Sequence, residues 1–320
     1  MTEIEPGAGS VPVSPPPRPP GPAPSGYRPS PGRPAGATPA PRLDPATQLM
    51  DGLSLDRPFL DTPGIPPFTK GQAWRWFFFA FCGFLVGQIV AIAFITVAGD
   101  VAGQTSAQMT SYASASVPPE WYVLTSLVGI WVGFVGAPLL ASRTQGTRHF
   151  LRDLGVRFRL IDLVGLVIGV AGQLAIAVLY APFQHDIHDY NGPSQKLTGA
   201  SHGGGVLLIV IASVLLVPFF EELFFRGLLF KALVRLCVPL GGGTGRARLL
   251  GVAGAVVLDG LLFGLAHGEL VQLAGLALFG MVLAVVSYRT GRLGMNMAAH
   301  ASFNLVAVVA ILNTKGGVIH

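Results

Sequence analysis

The sequence predicts an all-α membrane protein, a bundle of about seven transmembrane helices preceded by a disordered proline-rich tail. Hydrophobic residues make up 51% of the 320-residue chain and charged residues only 12%, whereas soluble domains carry about a quarter charged residues. The mean hydropathy is +0.58. Most of the 26 prolines precede Gly71, and the apolar runs follow it. These three observations separate a polar tail from a membrane-embedded body.

The tail covers residues 1–67 and contains runs such as Pro15-Pro16-Pro17, with glycine, serine and alanine between them. Such a segment buries too little apolar surface to offset its ordering entropy, so we expect it to be disordered with polyproline II character. We interpret it as a cytoplasmic spacer, with docking to a partner protein as the alternative. Its polar start has no cleavable apolar region, so the first span is expected to direct membrane insertion.

Seven apolar runs follow the tail, and most meet or approach the roughly 20 residues needed to cross a bilayer core. The fifth run is the shortest. The runs cover residues 72–98, 121–142, 161–182, 205–230, 250–267, 270–288 and 293–312.

These runs predict four regions of the chain. After the tail come two spans with a basic loop, then a core of five spans that carries the polar motifs, then a short C-terminal tail. The boundaries are 1–67, 68–159, 160–312 and 313–320.

Cations and acids alternate between successive loops, which predicts the orientation of the chain. Arginines and lysines cluster at 143–159, 231–248, 289–292 and just before the first span, all on one side if seven spans alternate. By the positive-inside rule that side is cytoplasmic. We therefore expect a plasma-membrane protein with its N-terminus inside and its C-terminus outside, and no nucleic-acid partner. The opposite loops hold Asp100, Glu120, Asp186, Asp189, Lys196 and Glu269.

The fourth span carries ionisable residues where lipid-facing positions would exclude them. Glu221 and Glu222 are adjacent, so they project about 100° apart on a helix. Glu222 and Arg226 are spaced i, i+4 and can pair, which leaves Glu221 as the carboxylate suited to act as a general base. Pro218 lacks an N–H group and frees a backbone carbonyl one turn earlier, which favours local opening to water.

Two further spans carry polar residues at helical spacing. Phe263 and His267 lie on one face of the fifth span, where Gly260, Gly264 and Gly268 would let another helix approach closely. In the seventh span a polar stripe repeats every four residues: Asn296, His300 and Asn304.

Each of these features alone is more often structural, as a helix-bridging hydrogen bond, an ion-pair clamp or interhelical glue. Together they place two glutamates, two histidines and an asparagine on three helices. This set contains a base, a water-orienting group and oxyanion donors, which are the groups that amide hydrolysis requires.

The three motifs resemble those of a known family. Glu221-Glu222-x-x-x-Arg226, Phe263-x-x-x-His267 and His300-x-x-x-Asn304 are similar to the signature motifs of the CPBP family, the CAAX proteases and bacteriocin-processing enzymes. They occur in the family's order over roughly residues 160–312. The resemblance implies an all-helical intramembrane endopeptidase that cuts a membrane-associated protein or peptide.

The resemblance also implies roles for individual residues. Glu221 would activate water with the help of His267, while His300 and Asn304 would stabilise the oxyanion. The remaining three motif residues would support the site: Glu222 and Arg226 would hold its shape, and Phe263 would pack beside it.

Two chemistries follow from the resemblance. The favoured one needs no metal or other cofactor. In the alternative, Glu221, His267 and His300 would form a two-histidine, one-carboxylate Zn²⁺ site with an open position.

The topology adds one structural expectation. His267 falls at the outer end of its span, whereas Glu221 lies nearer the cytoplasmic end of the fourth span. For the two to share a water molecule, spans five and six should form a short hairpin that turns at Gly268-Glu269 before the outer surface. Asp259 and Gln272 are expected to line the same cavity, although the family motifs do not include them.

Two other classes of function also fit the sequence. A non-catalytic, immunity-type membrane protein could keep the fold and sequester a peptide. A proton-linked transporter also uses intramembrane carboxylates and histidines, but it would be favoured by inverted repeats, which we do not observe in the sequence.

Overall fold

The computed structural model describes residues 69–115, 118–183, 204–238 and 245–314. Within these ranges the chain is helical, and no strand occurs. Among the helices of these ranges, six are long and apolar enough to cross a membrane. The seventh predicted span is the helix Gly294–Thr314, so the expected multi-pass helical bundle is confirmed. The predicted tail at 1–67 and residues 315–320 lie outside the described residues.

The first helices form a closely packed pair joined by a short connector. Helix α1 (Lys70–Val101) and helix α3 (Glu120–Gln145) match the first two predicted spans. Between them lies the short helix α2 (Ser106–Ser114), which the hydropathy did not predict. Thr69 and Thr105 each cap a helix with the glutamine three residues later, in a reciprocal capping box.

Glycines set the separation of α1 and α3. A Cβ atom at Gly133 would lie 2.0 Å from the carbonyl oxygen of Gly83 and 2.7 Å from the backbone nitrogen of Gly87. A Cβ atom at Gly136, one turn further along the same helix, would meet nothing within 4 Å. Close backbone approach at small residues is a common way for membrane helices to associate.

We expect Gly133→Val to force these two helices apart. Overpacking of this kind costs about 1–3 kcal/mol, so the apparent melting temperature in detergent should fall. Gly136→Val is the matched control and should change the free energy of unfolding by less than about 0.5 kcal/mol. Equal melting temperatures for the two variants would contradict the assigned α1–α3 contact.

The third predicted span is α5 (Val164–Tyr180), with 3₁₀ turns at Leu160–Leu163 and Ala181–Phe183. The short helix α4 (Phe150–Leu154) lies in the basic loop before it. The fourth span is one continuous helical stretch, 204–237, which we call the glutamate helix. Its parts are α6 (Gly204–Ile211), a π-helical segment (Ala212–Leu216), α7 (Val217–Phe224), a second π-helical segment (Phe225–Leu229) and α8 (Phe230–Cys237).

The expected hairpin is formed by α9 (Gly245–Ala266) and α10 (Leu273–Thr290), which pack against each other. A Cβ atom at Gly260 or Gly264 would come within about 3 Å of α10, so these two glycines serve helix packing inside the chain. Gly268 differs from that expectation. It has φ +67° and open space around its Cβ position, so it forms the turn instead. How deep the turn lies in the membrane stays a prediction.

The cationic ends of the helices lie together, and we call this side of the bundle the arginine end. Arg292 pairs with Asp162 at 2.7 Å, which ties the start of α11 (Gly294–Thr314) to the start of α5. Lys231 Nζ donates to the carbonyl oxygen of Asp153 at 2.6 Å. Gln72 Nε2 donates to the carbonyl oxygen of Gln145 at 3.5 Å. These contacts bring helix ends from across the chain to the same side, as the loop charges predicted.

Candidate active site

The glutamate helix departs from α-helical geometry on both sides of its paired carboxylates. In the first π-helical segment the N–H of Val217 donates to the carbonyl of Ala212, five residues earlier. Continuing this register would pair residue 218 with Ser213, but Pro218 has no N–H group to donate. Segments of this kind are frequent at functional sites because they re-aim the side chains that follow.

Asn304 satisfies the carbonyl that Pro218 leaves free. Its Nδ2 atom donates to the carbonyl oxygen of Ser213 at 2.8 Å. The sequence predicted a freed carbonyl open to water, and here a side chain from α11 occupies that position. One N–H of the Asn304 amide is therefore engaged with the backbone, which leaves the second available to a ligand.

This contact predicts an energetic coupling between Pro218 and Asn304. Asn304→Ala should lower the free energy of unfolding by about 1–3 kcal/mol, because the carbonyl of Ser213 loses its donor. In a Pro218→Ala background residue 218 can supply that donor, so the same substitution should cost less, with a coupling of about 0.5 kcal/mol or more. Strictly additive effects in the double-mutant cycle, measured by unfolding in detergent, would argue against the contact.

Glu222 is buried and fully committed to neighbouring side chains. Its Oε1 atom accepts from Arg226 Nη1 at 3.0 Å and lies 2.9 Å from His300 Nδ1. Its Oε2 atom accepts from Asn296 Nδ2 at 3.3 Å. Two residues of the predicted polar stripe, Asn296 and His300, therefore converge on this one carboxylate.

Arg226 connects Glu222 to the hairpin. Its side chain is fully buried, and Nη2 donates to the carbonyl oxygen of Gly280 on α10 at 3.0 Å. Its Nε atom lies 3.4 Å from Asp259 Oδ2, and its guanidinium carbon lies 4.4 Å from the centre of the Phe263 ring. Asp259 was expected in the cavity, but it is completely buried beside Arg226 and does not line that cavity.

Glu221 has a different environment from its neighbour. Its Oε2 atom is buried, has no hydrogen-bond partner among the described residues, and lies 3.8 Å from His300 Nε2. Its side chain retains 16% exposure and lines a cavity of about 670 Å³. The sequence-based distinction between a paired and an unpaired carboxylate therefore matches the geometry.

The cavity collects residues from most of the bundle. Glu221, His267, Asn304 and Gln272 all line it, so the hairpin turn and the glutamate helix meet at one chamber, as the sequence predicted. His300 does not line the cavity itself, but it contacts both glutamates from behind. The ring of Phe263 packs against both histidines, with ring centres 4.9 Å from His267 and 5.6 Å from His300.

The hydrogen-bond partners of the two histidines indicate which ring nitrogen carries the proton. His267 Nδ1 lies 2.8 Å from the carbonyl oxygen of Phe263, which only accepts, so Nδ1 carries the proton. In the neutral ring Nε2 is then a proton acceptor. His300 Nδ1 likewise faces the carboxylate of Glu222. Nε2 of His300 can therefore donate to an oxyanion only when both of its ring nitrogens carry protons.

Comparison with known proteins adds one finding. Residues 203–306 match the model of the Rce1-like family, described as type II CAAX prenyl endopeptidase. The resemblance to the CAAX-protease family is confirmed over this segment. No curated protein and no solved structure matches the chain.

The Rce1-like segment contains every motif residue of the candidate site. It begins where the glutamate helix begins and ends in α11, beyond Asn304. The match is narrower than the 160–312 expected from the motifs, because α5 lies outside it. The apolar helices and the matched family support a multi-pass membrane protein, and the matched segment is similar to CAAX-type proteases.

The alternative zinc site is not assembled in this conformation of the Rce1-like segment. Across the described parts of the chain, no group of three or more His, Cys, Asp or Glu side chains is arranged to hold a metal ion. Glu221, His267 and His300 therefore do not fit a three-ligand site as they stand.

Several cavity residues were not predicted from the motifs. Gln173 and Tyr180 come from α5, and Tyr112 comes from the unpredicted helix α2. Tyr180 also braces the hairpin turn, because its hydroxyl donates to the carbonyl of Val271 at 2.7 Å and accepts from the N–H of Gly275 at 3.1 Å. Only one feature of the sequence could have indicated Gln173, Tyr180 and Tyr112. They are polar or aromatic residues in or beside the same end of successive spans.

Proposed function

We propose that this chain is an intramembrane endopeptidase that hydrolyses a peptide bond in a membrane-associated protein or peptide. The observation that carries the proposal is the contrast between the two adjacent glutamates. Glu222 accepts hydrogen bonds from three side chains, whereas Glu221 faces the cavity and has no donor among the described residues. A carboxylate without a donor is free to accept a proton from water.

The proposed reaction begins with a water molecule between Glu221 and His267. Glu221 takes a proton from this water while its oxygen bonds to the substrate carbonyl carbon, which forms a tetrahedral oxyanion. Asn304, which keeps one amide N–H free, donates to that oxyanion. His300 acts from behind Glu221, with its Nε2 atom 3.8 Å from Glu221 Oε2. The carbon–nitrogen bond then breaks, and the proton held by Glu221 passes to the leaving amine. No step in this scheme needs a metal.

Glu222 and Arg226 act in this scheme as positioning residues. Glu222 holds the proton on His300 Nδ1, so that Nε2 of the same ring points toward Glu221. Arg226 holds Glu222 in place, because it donates one hydrogen bond to Glu222 and another to a backbone carbonyl of α10. The arrangement resembles other catalytic sites in which one group orients the histidine that acts on the reacting atoms.

The test is digestion of a labelled library of membrane peptides by the purified protein in detergent. We expect cleavage at a preferred bond, unaffected by a chelator. Loss of cleavage on chelation and recovery with Zn²⁺ would replace the metal-free scheme with the zinc alternative. Peptide binding by folded protein without any cleavage would instead favour the sequestering function.

The same proposal includes the location of the protein. The arginine end faces the cytoplasm by the positive-inside rule, and the chain resides in the plasma membrane with its N-terminus inside and its C-terminus outside. The spacing of cations at the ends of the described helices supports this orientation.

A further inference from the structure

The cavity lies at the end of the bundle opposite the arginine end. Each helix that lines it contributes from the half that points away from the arginines. Helix α3 contributes its beginning, from Tyr122 to Ile130, and α5 contributes its final half, from Gln173 to Tyr180. The remaining wall comes from the glutamate helix up to Glu221, from α2 and its connector to α3, from the α9–α10 turn with the start of α10, and from the part of α11 beyond His300.

The cavity reaches that end of the bundle rather than stopping inside it. Ala115 and Pro118 from the α2–α3 connector line it, as do Glu269 and Gln272 from the hairpin turn. These residues lie beyond the ends of the long helices. No lysine or arginine of the arginine end is among the described residues that line the cavity.

The charge of this end differs in sign from that of the other. The described residues of the cavity wall include no lysine or arginine, and the carboxylates among them are Glu221 and Glu269. Among the described residues, the helix ends and turns on this side carry the acids Asp100, Glu120 and Glu269. An acidic mouth with low-dielectric walls concentrates cationic ligands.

Aromatic rings complete the rim of the cavity. Tyr112, Tyr122 and Tyr180 line the cavity. Tyr112 contacts Tyr122 and the neighbouring Trp121 edge to face, with ring centres 6.3 Å and 6.0 Å apart. Aromatic faces attract lysine and arginine side chains through cation–π interactions, most strongly where water is excluded.

We propose that the cavity receives its peptide from the side of the membrane opposite the arginine end, and that it prefers a segment carrying lysine or arginine. With the arginine end in the cytoplasm, the substrate is an extracytoplasmic cationic segment of a membrane-associated protein or peptide. This inference rests on the proposed peptidase function, because it names the substrate class of the same site.

The access side is tested by cysteine labelling in intact cells. Cys82 and Cys237 are first replaced by alanine, and single cysteines are then introduced as Gln272→Cys in the cavity wall and Arg289→Cys at the arginine end. We expect a membrane-impermeant maleimide to label Gln272→Cys in intact cells, and Arg289→Cys only after permeabilisation. The reverse pattern, or a Gln272→Cys variant that stays unlabelled even after permeabilisation, would overturn the proposed access.

The charge preference is tested by binding, with the Glu221→Gln variant used so that the peptide is not cleaved. Two labelled peptides are compared that differ only in lysine or glutamate beside the central bond. We expect about five- to tenfold tighter binding of the lysine peptide at low salt, a ratio that shrinks in Glu269→Gln and at high salt. Equal affinities, or tighter binding of the glutamate peptide, would overturn the preference.

The two proposals fail in distinguishable ways. Selective binding and labelling from outside without cleavage by the wild type would remove the peptidase function and keep the binding site. Cleavage by the wild type with no charge preference, or with access from the arginine end, would keep the peptidase and remove this inference.

Discussion

Glu221→Gln is expected to reduce peptide cleavage by about 10²–10⁴-fold, the usual contribution of a general base. The same substitution should leave the free energy of unfolding nearly unchanged. The reason is that Glu221 Oε2 has no hydrogen-bond partner to lose among the described residues. The measurement is the cleavage rate in detergent alongside thermal unfolding of the same preparation.

The neighbouring Glu222→Gln variant is the matched control, because it makes the same chemical change one residue away. Glu222 accepts from Arg226 and Asn296 and faces His300 Nδ1, so an amide there would strand buried donors. We expect a loss of stability of about 3–5 kcal/mol together with the loss of activity. If Glu221→Gln unfolded at the lower temperature of the two, the assignment of roles to these carboxylates would be reversed.

Arg226→Met is expected to be the most destabilising single substitution in the core. It leaves two buried carboxylates, Glu222 and Asp259, without their cation, and it leaves the carbonyl of Gly280 without a donor. Breaking a buried ion pair from one side costs about 3–5 kcal/mol, because a charge is stranded where water does not reach it. Thermal unfolding in detergent measures the effect.

A second substitution makes this prediction specific. Asp259→Asn in the Arg226→Met background removes one of the stranded charges, so the double variant should be more stable than Arg226→Met alone. Arg246→Met is the control, since Arg246 is exposed at the start of α9. If Arg226→Met were as stable as Arg246→Met, the buried network would not hold the site together.

The long helices were predictable because lipid imposes a simple rule on the sequence. A spanning segment must be apolar over about 20 residues and must satisfy its backbone internally. All seven predicted runs therefore lie within observed helices or overlap them closely. The two short helices were missed because they are too polar or too short to register as apolar runs. The Thr105-x-x-Gln108 capping box was a readable signal for one of them.

The site was predictable to the extent that its residues repeat at helical spacing. The four-residue spacing of Asn296, His300 and Asn304 placed them on one face, and all three contact the glutamate helix. Contacts between distant segments were not readable. The Asp259–Arg226 pair joins α9 to the glutamate helix, and the sequence alone does not define how these two helices are rotated relative to each other.

The measurement that tests the central claim most directly is cleavage of a membrane peptide in H₂¹⁸O, with products weighed by mass spectrometry. If Glu221 activates water, the wild type should produce a new C-terminal carboxyl group that carries one ¹⁸O atom, and folded Glu221→Gln should produce almost none of this product. Undiminished cleavage by Glu221→Gln, or a product without ¹⁸O, would contradict the claim.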